Sequence, residues 1–304
     1  AYNVEYWIPV FGDFGRELRT PQDYIRENAL VYCLSGDVEA GDAARSALLK
    51  VAEWPAFVPP HITNQGKHSY YITGIFLTDL ALAYDLLHDR LDQEERKKAA
   101  NALYEKGMKE AYEEYVRDNW VSSNTSNWIG DVTAGSILCA AAVYPDYGDK
   151  ALEPYLTGSI LKLGELVRAA FDSGGDYGEG SLYYMHALHG LTKSMAVLER
   201  FFDVRFPQKI ARSHTSLLYQ FNPSSKRIYS FGDAYENLML FSPGSYLGMG
   251  NAAWLLAKYR DPHLKWLYDF NPGTTERDLI FLDETIEAQP PDDLPKAVHF
   301  GEVG

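Results

Sequence analysis

Apolar residues recur along most of the chain with the three- and four-residue spacing of amphipathic helices. Alternation with a period of two is not convincing before the last residues. The pattern therefore predicts an all-α fold. Strong helices are predicted over residues 21–37, 39–54, 70–87, 92–118, 127–144, 151–171 and 181–202, and weaker ones around 206–220, 246–259 and 262–269.

The predicted helices alternate in character. Residues 70–87 and 127–144 are apolar and the second is rich in small residues, whereas 92–118 and 151–171 are more polar and amphipathic. Such alternation is what a two-layer ring of helical hairpins requires, because inner helices are contacted on most sides and outer helices keep one wet face. Asp92 is the predicted N-cap of the most highly charged helix.

The C-terminal residues differ from the rest of the chain. The segment EAQPPDDLP is rich in proline and acid, which indicates a linker, and KAVHFGEVG has the pattern of a first strand. We therefore predict a helical domain over residues 1–288, followed over 289–304 by a linker and the first strand of an absent domain. On this interpretation the chain is a fragment of a longer protein.

The formal net charge of -14 narrows the choice of partners. It argues against non-specific nucleic-acid binding, which needs a basic field, and an anionic polymer would need a locally basic cleft. The apolar runs are too short to span a bilayer, so we expect no membrane insertion. The 22 tyrosines and 6 tryptophans suit a sugar-binding cleft, although core packing explains most of them.

Candidate chemistry begins with SSNTSNWIGDVTAG, residues 122–135. Asn127 stands at or near a predicted helix start, beside Trp128. Its amide either caps the helix or points into a cleft.

A second candidate is GGDYGEGSLYYMHALHG, residues 174–190. Glu179 is expected at a helix start, where the helix dipole favours a carboxylate, and Tyr183 and His186 follow on the same face. This face is either buried core or the place of a phenol that moves a proton; His189 lies off the face and is assigned to the core. Four glycines allow a tight turn with positive φ that a substrate could approach: Gly174, Gly175, Gly178 and Gly180.

The third candidate is SFGDAYE, residues 230–236, which is either a turn or a cleft rim carrying Asp233 and Glu236. Common zinc, phosphate-loop, dinucleotide and nucleophile-elbow motifs are absent from the sequence. No pair of histidines has convincing metal-ligand spacing, so we expect no metal or cofactor in this chain.

In this order, these segments resemble the heparinase II/III-like polysaccharide lyases. The resemblance implies an incomplete (α/α) toroid followed by antiparallel β-domains, with this chain supplying the toroid and the first strand of a β-sandwich. It also implies a secreted or periplasmic enzyme acting on an anionic polysaccharide. The motifs are short and degenerate, and those that carry the resemblance are LALAYDLLHDRLDQEER, SNWIGDVTAGSILCAAAVYPD, GGDYGEGSLYYMHALHG, YSFGDAYE and LPKAVHFGEVG.

The chemistry implied by the resemblance is β-elimination on a uronic acid. The C5 proton becomes acidic enough only when the neighbouring carboxylate is neutralised, and fixed donors there act as an oxyanion hole does. The resemblance gives the neutralising role to Asn127 and the role of base or acid to Tyr183. As a base, Tyr183 would need a pKa well below its usual value of about 10. Further residues expected around the substrate are His68, Trp128, Glu179, Tyr184, His186 and Asp233.

Two features depart from the family pattern. Trp128 stands where many relatives carry histidine, and relatives also draw a histidine or tyrosine, and sometimes a structural zinc, from the β-domain. A cationic role would then fall to His61, His68 or His186. The isolated chain would be weakly active or inactive.

Two other functions also fit the sequence. A non-catalytic glycan-binding or assembly module would bind without turnover. A glycoside hydrolase on an (α/α) barrel would use a pair of carboxylates. That pair would come from Asp131, Glu179 and Asp233. The polysaccharide and the oligomeric state are not fixed by any motif, and sulfate recognition would call on three basic residues: Arg117, Lys193 and Arg227.

Overall fold

A computed structural model describes residues 21–58, 60–117, 126–229 and 248–301 of the chain. Within these residues the protein is mostly helical, and the sheet found among them has two strands of two residues each. The predicted all-α fold is therefore confirmed. Among the described residues, no helix combines the length and apolar character that crossing a membrane requires.

Contacts between Cα atoms divide the chain into two compact units. The first consists of Ala1–Val121 and Asp131–Leu161, and the second of Ser122–Gly130 and Lys162–Gly304. The division falls inside the domain predicted over 1–288. The boundary predicted at residue 288 stays a prediction.

The first unit contains helices that match the predicted ones closely. Buried side chains of these helices form one apolar core. At this core Trp54 stacks on Phe76 at a centroid distance of 5.9 Å. The segments between the main helices contain a short helix, Pro60–Thr63, and a 3₁₀ turn, His88–Arg90. The main helices are α1 (21–35), α2 (Val38–Val51), α3 (Tyr71–Leu86) and α4 (Gln93–Ala102). Two longer helices, α5 (Asn127–Tyr147) and α6 (Asp149–Ala170), have residues in both units.

Helix α4 begins where the sequence predicts. The Asp92 carboxylate accepts the Glu95 backbone N–H at 2.9 Å, and the Glu95 carboxylate accepts the Asp92 N–H at 3.1 Å. This capping box satisfies two backbone donors that the first turn leaves without helical partners. The predicted N-cap is therefore confirmed.

Beyond α4 the helix continues with wider turns that the sequence does not predict. A π-turn holds about one residue more than an α-turn, so side chains eight rather than seven residues apart come into line. Tyr104 and Tyr112 have this spacing, and both rings make edge contacts with Tyr155, at centroid distances of 5.7 and 5.2 Å. The successive pieces are Leu103–Met108 (π), Lys109–Ala111 (α) and Tyr112–Arg117 (π).

Small residues allow α3 and α5 to approach closely within the first unit. A Cβ atom on Gly74 would lie 2.3 Å from the carbonyl oxygen of Asp131, and one on Gly135 would lie 2.8 Å from the carbonyl oxygen of Gly74. Neither position has room for a side chain. The small-residue character of the predicted 127–144 helix thus serves helix packing.

The second unit is built around one long helix, α7 (Ser181–Phe201), which packs against the turn Met249–Ala252. Asn251 fastens this contact by donating its side-chain amide to the Met185 carbonyl at 3.1 Å. The shorter helices of the unit are α8 (Thr215–Gln220), α9 (Ala253–Tyr259), α10 (Pro262–Phe270) and α11 (Glu276–Phe281). The remaining 3₁₀ turns are Gln208–Arg212 and Pro291–Asp293.

Two elements of this unit escape sequence reasoning because they are short. Strands β1 (Phe221–Asn222) and β2 (Arg227–Ile228) form an antiparallel hairpin, with Phe221 opposite Ile228. Two residues per strand are too few to show an alternating pattern. Helix α11 has six residues and depends on a capping box between Thr275 and Asp278.

The predicted linker is fastened to the second unit. His263 Nδ1 lies 3.0 Å from the Gln289 carbonyl oxygen, and the Tyr219 hydroxyl donates to the Pro295 carbonyl oxygen at 2.8 Å. After Pro291–Asp293, the described residues up to 301 form neither helix nor strand. The strand predicted at this end stays a prediction, since a strand needs a partner to be recognised.

Asp261 gives a test of the packing in the second unit. Its carboxylate caps α10 by accepting the N–H groups of His263 and Leu264, and lies 3.4 Å from His214 Nε2. Burial favours a higher pKa for Asp261, but the His214 interaction and these N–H groups outweigh burial and lower the pKa to about 2. The folded state therefore favours the ionised form of Asp261. This preference adds about 2 kcal/mol to the free energy of unfolding.

We expect Asp261→Asn to unfold at lower urea concentration than the wild type near neutral pH. Because the pKa is depressed in the folded state, the advantage of the wild type is complete above about pH 4 and disappears as the pH falls to about 2. Urea unfolding followed by circular dichroism across this range measures the difference. Equal pH dependence of the two proteins would show that Asp261 contributes no such linkage.

Candidate functional site

Asn127 is the first residue of α5, and Ser126 is the residue that caps this helix. The Ser126 hydroxyl accepts the Trp128 N–H at 3.3 Å, and its carbonyl accepts the Ile129 N–H at 3.0 Å. The Asn127 side chain is therefore available for another role. The helix-capping role that the sequence allowed for Asn127 is filled by Ser126.

The side chain of Asn127 is buried and holds an unused hydrogen-bond donor. The residue is 3% exposed, and its Nδ2 atom has no hydrogen-bond partner among the described residues. A buried donor without an acceptor costs about 1–3 kcal/mol, so proteins rarely keep one without a reason. An acceptor atom of a ligand would satisfy it.

Glu179 joins Asn127 to the segment that precedes α7. Its Oε2 atom accepts the Asn127 backbone N–H at 2.7 Å and the Tyr177 hydroxyl at 3.0 Å. Helix α7 begins only at Ser181, after Gly180 with a φ of 85°. Glu179 is therefore not in the helix that follows it, and its carboxylate lies at the N-terminus of α5, where the helix dipole favours a negative charge.

The surroundings of Glu179 shift its protonation. Burial raises the pKa of Glu179, and the Asn127 N–H, the Tyr177 hydroxyl and the charge of His186 oppose this shift without cancelling it. Tyr177 is 1% exposed and His186 is 6% exposed. Glu179 thus takes up a proton at a higher pH than an ordinary glutamate.

Tyr183 and His186 lie three residues apart on the first turns of α7, so they share a face. Tyr183 is partly exposed, whereas His186 is buried. The predicted common face holds for these two residues. It does not extend to Glu179 by helical spacing, because Glu179 precedes the helix.

The turn between α6 and α7 is built on two of its glycines. Gly175 and Gly180 have φ values of 103° and 85°, as the sequence predicts, whereas Gly174 and Gly178 do not have positive φ. A Cβ atom on Gly175 would lie 2.0 Å from the Arg212 carbonyl oxygen. The close approach at Gly175 is therefore made by the protein's own backbone and not by a substrate.

Tyr184 occupies the core instead of the predicted substrate contact. It is 2% exposed, its hydroxyl lies 3.0 Å from the Ser213 hydroxyl, and burial raises its pKa. Its ring lies 6.3 Å from the rings of both Phe171 and Tyr177. This aromatic cluster supports the segment that carries Glu179.

The other predicted site residues are distributed differently. Trp128 is partly exposed beside Asn127, and His189 is buried as expected. His68 belongs to the first unit, where its backbone N–H donates to the Glu114 carboxylate at 2.6 Å, so its place at the substrate stays a prediction. Asp233, Glu236 and the side chain of His61 lie outside the described residues.

The acids and bases proposed for other roles also have defined surroundings. Asp131 is fully buried. Lys193 is largely buried, 3.6 Å from Glu276, and Arg117 is paired with Glu113. Arg227 is exposed on the hairpin. The role of Asp131 in a hydrolase carboxylate pair stays a prediction, and so does the role of the three basic residues in sulfate recognition.

Sequence reasoning missed Ser126 and Tyr177. Ser126 was hidden among several adjacent polar residues, any of which could cap the helix. Tyr177 resembled an ordinary turn tyrosine, but its backbone bridges to Phe171 and its hydroxyl donates to Glu179. A tyrosine two residues before a glutamate in a glycine-rich turn was the only available signal.

No group of three or more histidine, cysteine, aspartate or glutamate side chains among the described residues is arranged to hold a metal ion. A scan against protein-family models finds no match for the chain, and a search of curated proteins finds no significant match. The resemblance to the heparinase II/III-like lyases therefore depends on the quoted motifs alone.

The unused donor of Asn127 predicts an unusual stability result. Asn127→Ala removes an unsatisfied buried group, so we expect its free energy of unfolding to fall by less than about 1 kcal/mol, or to rise. Asn251→Ala is the matched control in the same unit. It removes a donor that is used, so it should cost about 1–3 kcal/mol. Denaturant unfolding of both variants provides the comparison, and equal losses would indicate that the Asn127 amide is satisfied in solution.

Proposed function

We propose that the protein is a polysaccharide lyase that cleaves a uronic-acid-containing anionic polysaccharide by β-elimination. The observation that carries this proposal is the buried Asn127 amide, whose Nδ2 donor has no partner in the part of the chain that the structure describes and whose backbone N–H is bonded to the segment leading into Tyr183. A neutral donor and a partly exposed phenol, presented by linked helix starts, are the two groups that the reaction needs.

In the proposed reaction Asn127 donates a hydrogen bond to the uronate carboxylate. The donor stabilises the negative charge that develops there when the C5 proton leaves, and it brings no competing base. A base removes the C5 proton, the C4–C5 double bond forms, and the C4–O bond breaks. The departing oxygen takes up a proton.

Tyr183 is the proposed proton-transfer residue. It stands three residues before His186, whose imidazole belongs to the same face of α7. Its partial exposure distinguishes it from Tyr184, whose hydroxyl is held by Ser213 in the core. Tyr183 either takes the C5 proton, protonates the leaving oxygen, or does both in turn.

The arrangement of the helices is part of the same proposal. We propose that the helices form an incomplete (α/α) toroid whose partner β-domain lies elsewhere in a longer, secreted or periplasmic protein. The alternation of apolar and amphipathic helices supports this arrangement, and so does the order of the motifs. Any structural metal would belong to that β-domain.

A hydrolase is a second candidate because one carboxyl has the property of a general acid. Burial raises the pKa of Glu179, which suits a proton donor to a leaving oxygen. However, Oε2 of Glu179 already accepts two hydrogen bonds, which favours a structural role. Products distinguish the two reactions, since only elimination creates a conjugated double bond.

The test is to incubate the chain, and the longer protein, with a panel of uronate polysaccharides and to follow ultraviolet absorbance. We expect absorbing products with the longer protein, and weak or no product formation with the isolated chain. Tyr183→Phe should reduce their rate of formation by at least about 100-fold, because the phenol can no longer transfer a proton. Binding of the polysaccharide, measured by affinity electrophoresis, should persist in this variant.

Tyr24→Phe is the control, because Tyr24 lies on α1 and is 49% exposed. It should keep wild-type rates. New reducing ends without ultraviolet absorbance would support the hydrolase. Binding without turnover in the longer protein would support a non-catalytic module. Full activity in Tyr183→Phe would overturn the proposed role of the phenol.

A further inference from the structure

Glu179 makes contacts that a substrate-binding residue does not need. One of its carboxylate oxygens is occupied by two donors from its own protein, the Asn127 N–H at 2.7 Å and the Tyr177 hydroxyl at 3.0 Å. Both donors belong to ordered segments. Asn127 is the first residue of a long helix, and Tyr177 forms an antiparallel β-bridge with Phe171. The carboxylate is thus a link between two elements.

We propose that Glu179 is a positioning residue that must be ionised for the Asn127 amide to stand in its working orientation. The ionised carboxylate accepts the backbone N–H of Asn127 and so fixes the first residue of α5. The side chain of that residue carries the unused donor. The inference deepens the proposed function, and only its kinetic readout rests on that function.

Protonation of Glu179 would weaken the link. A neutral carboxylic acid is a poorer acceptor than a carboxylate, and its new O–H needs an acceptor of its own. The described groups that act on Glu179 are the α5 N-terminus at Asn127, the Tyr177 hydroxyl and His186 of α7. All three favour the ionised form, and burial opposes them.

Proton uptake by Glu179 should therefore define the acid limb of the activity profile. Because burial raises the pKa of Glu179, this limb should lie closer to neutrality than that of an ordinary glutamate. As the pH falls through it, kcat should fall more than KM rises, since Asn127 acts mainly on the charge that develops in the transition state.

Tyr177→Phe provides the sharpest test, because the Tyr177 hydroxyl is committed to Glu179 at 3.0 Å. Loss of its hydroxyl removes a hydrogen bond that lowers the pKa of Glu179. The acid limb of kcat should move to higher pH by about one unit. A merely structural phenol would lower activity at every pH and leave the limb in place.

Tyr184→Phe is the matched control. It removes a hydroxyl from the same aromatic cluster, but that hydroxyl is bonded to Ser213 and not to a carboxylate. The acid limb should not move in this variant. Glu179→Gln should lack the limb assigned to Glu179 and have a kcat reduced at least about tenfold at neutral pH. An unchanged pH profile in Tyr177→Phe and Glu179→Gln would overturn the proposal.

A spectroscopic readout separates this proposal from the proposed function. In a ¹⁵N-labelled protein, the Asn127 backbone amide should titrate with Glu179, and its midpoint should move up by about one pH unit in Tyr177→Phe. If no polysaccharide is cleaved but this titration is found, the positioning role stands and the lyase fails. If the Asn127 amide does not titrate, the positioning role fails regardless of activity.

Discussion

The hydrogen bond from the Asn127 N–H to the Glu179 carboxylate is the interaction on which the candidate site depends. It joins the start of α5 to the segment that leads into α7, although the two residues are 52 positions apart in the chain. Without this bond, Asn127 and Tyr183 would be two unrelated features of two helices. With it, the Asn127 amide and the Tyr183 phenol are carried by two segments that are hydrogen-bonded to each other, which the proposed reaction on a single sugar ring requires.

Packed aromatic rings and a close backbone approach at a glycine hold this hydrogen bond in place. Phe171, Tyr177 and Tyr184 pack together. The Tyr177 hydroxyl bonds to Glu179, whereas the Tyr184 hydroxyl bonds to Ser213. Gly175 lets the turn lie against the Arg212 carbonyl. Neighbouring tyrosines consequently have different tasks: Tyr177 serves the carboxylate, Tyr184 fills the core, and Tyr183 is partly exposed.

The sequence predicted the long helices well because each has many turns in which apolar spacing is repeated and because Asp92 leaves a clear cap. It failed where few residues decide the outcome. The hairpin has two residues per strand, α11 has six residues, and the π-turns depend on how Tyr104 and Tyr112 meet Tyr155. In the candidate site, the motif predicts a role for Asn127 but not its link to Glu179, since a contact over 52 positions leaves no local pattern.

The wide turns after α4 have a consequence for how this helix can change. Each holds one residue more than regular winding needs, so the loss of one residue from Leu103–Met108 would be absorbed by a return to α-helical winding. The residues beyond it would keep their orientation, and Tyr112 would still face Tyr155 and Gly158. In a regular α-helix the same deletion would rotate every later residue by about 100°. A one-residue deletion in the wide turn should therefore disturb the packing less than one in a neighbouring α-helical turn.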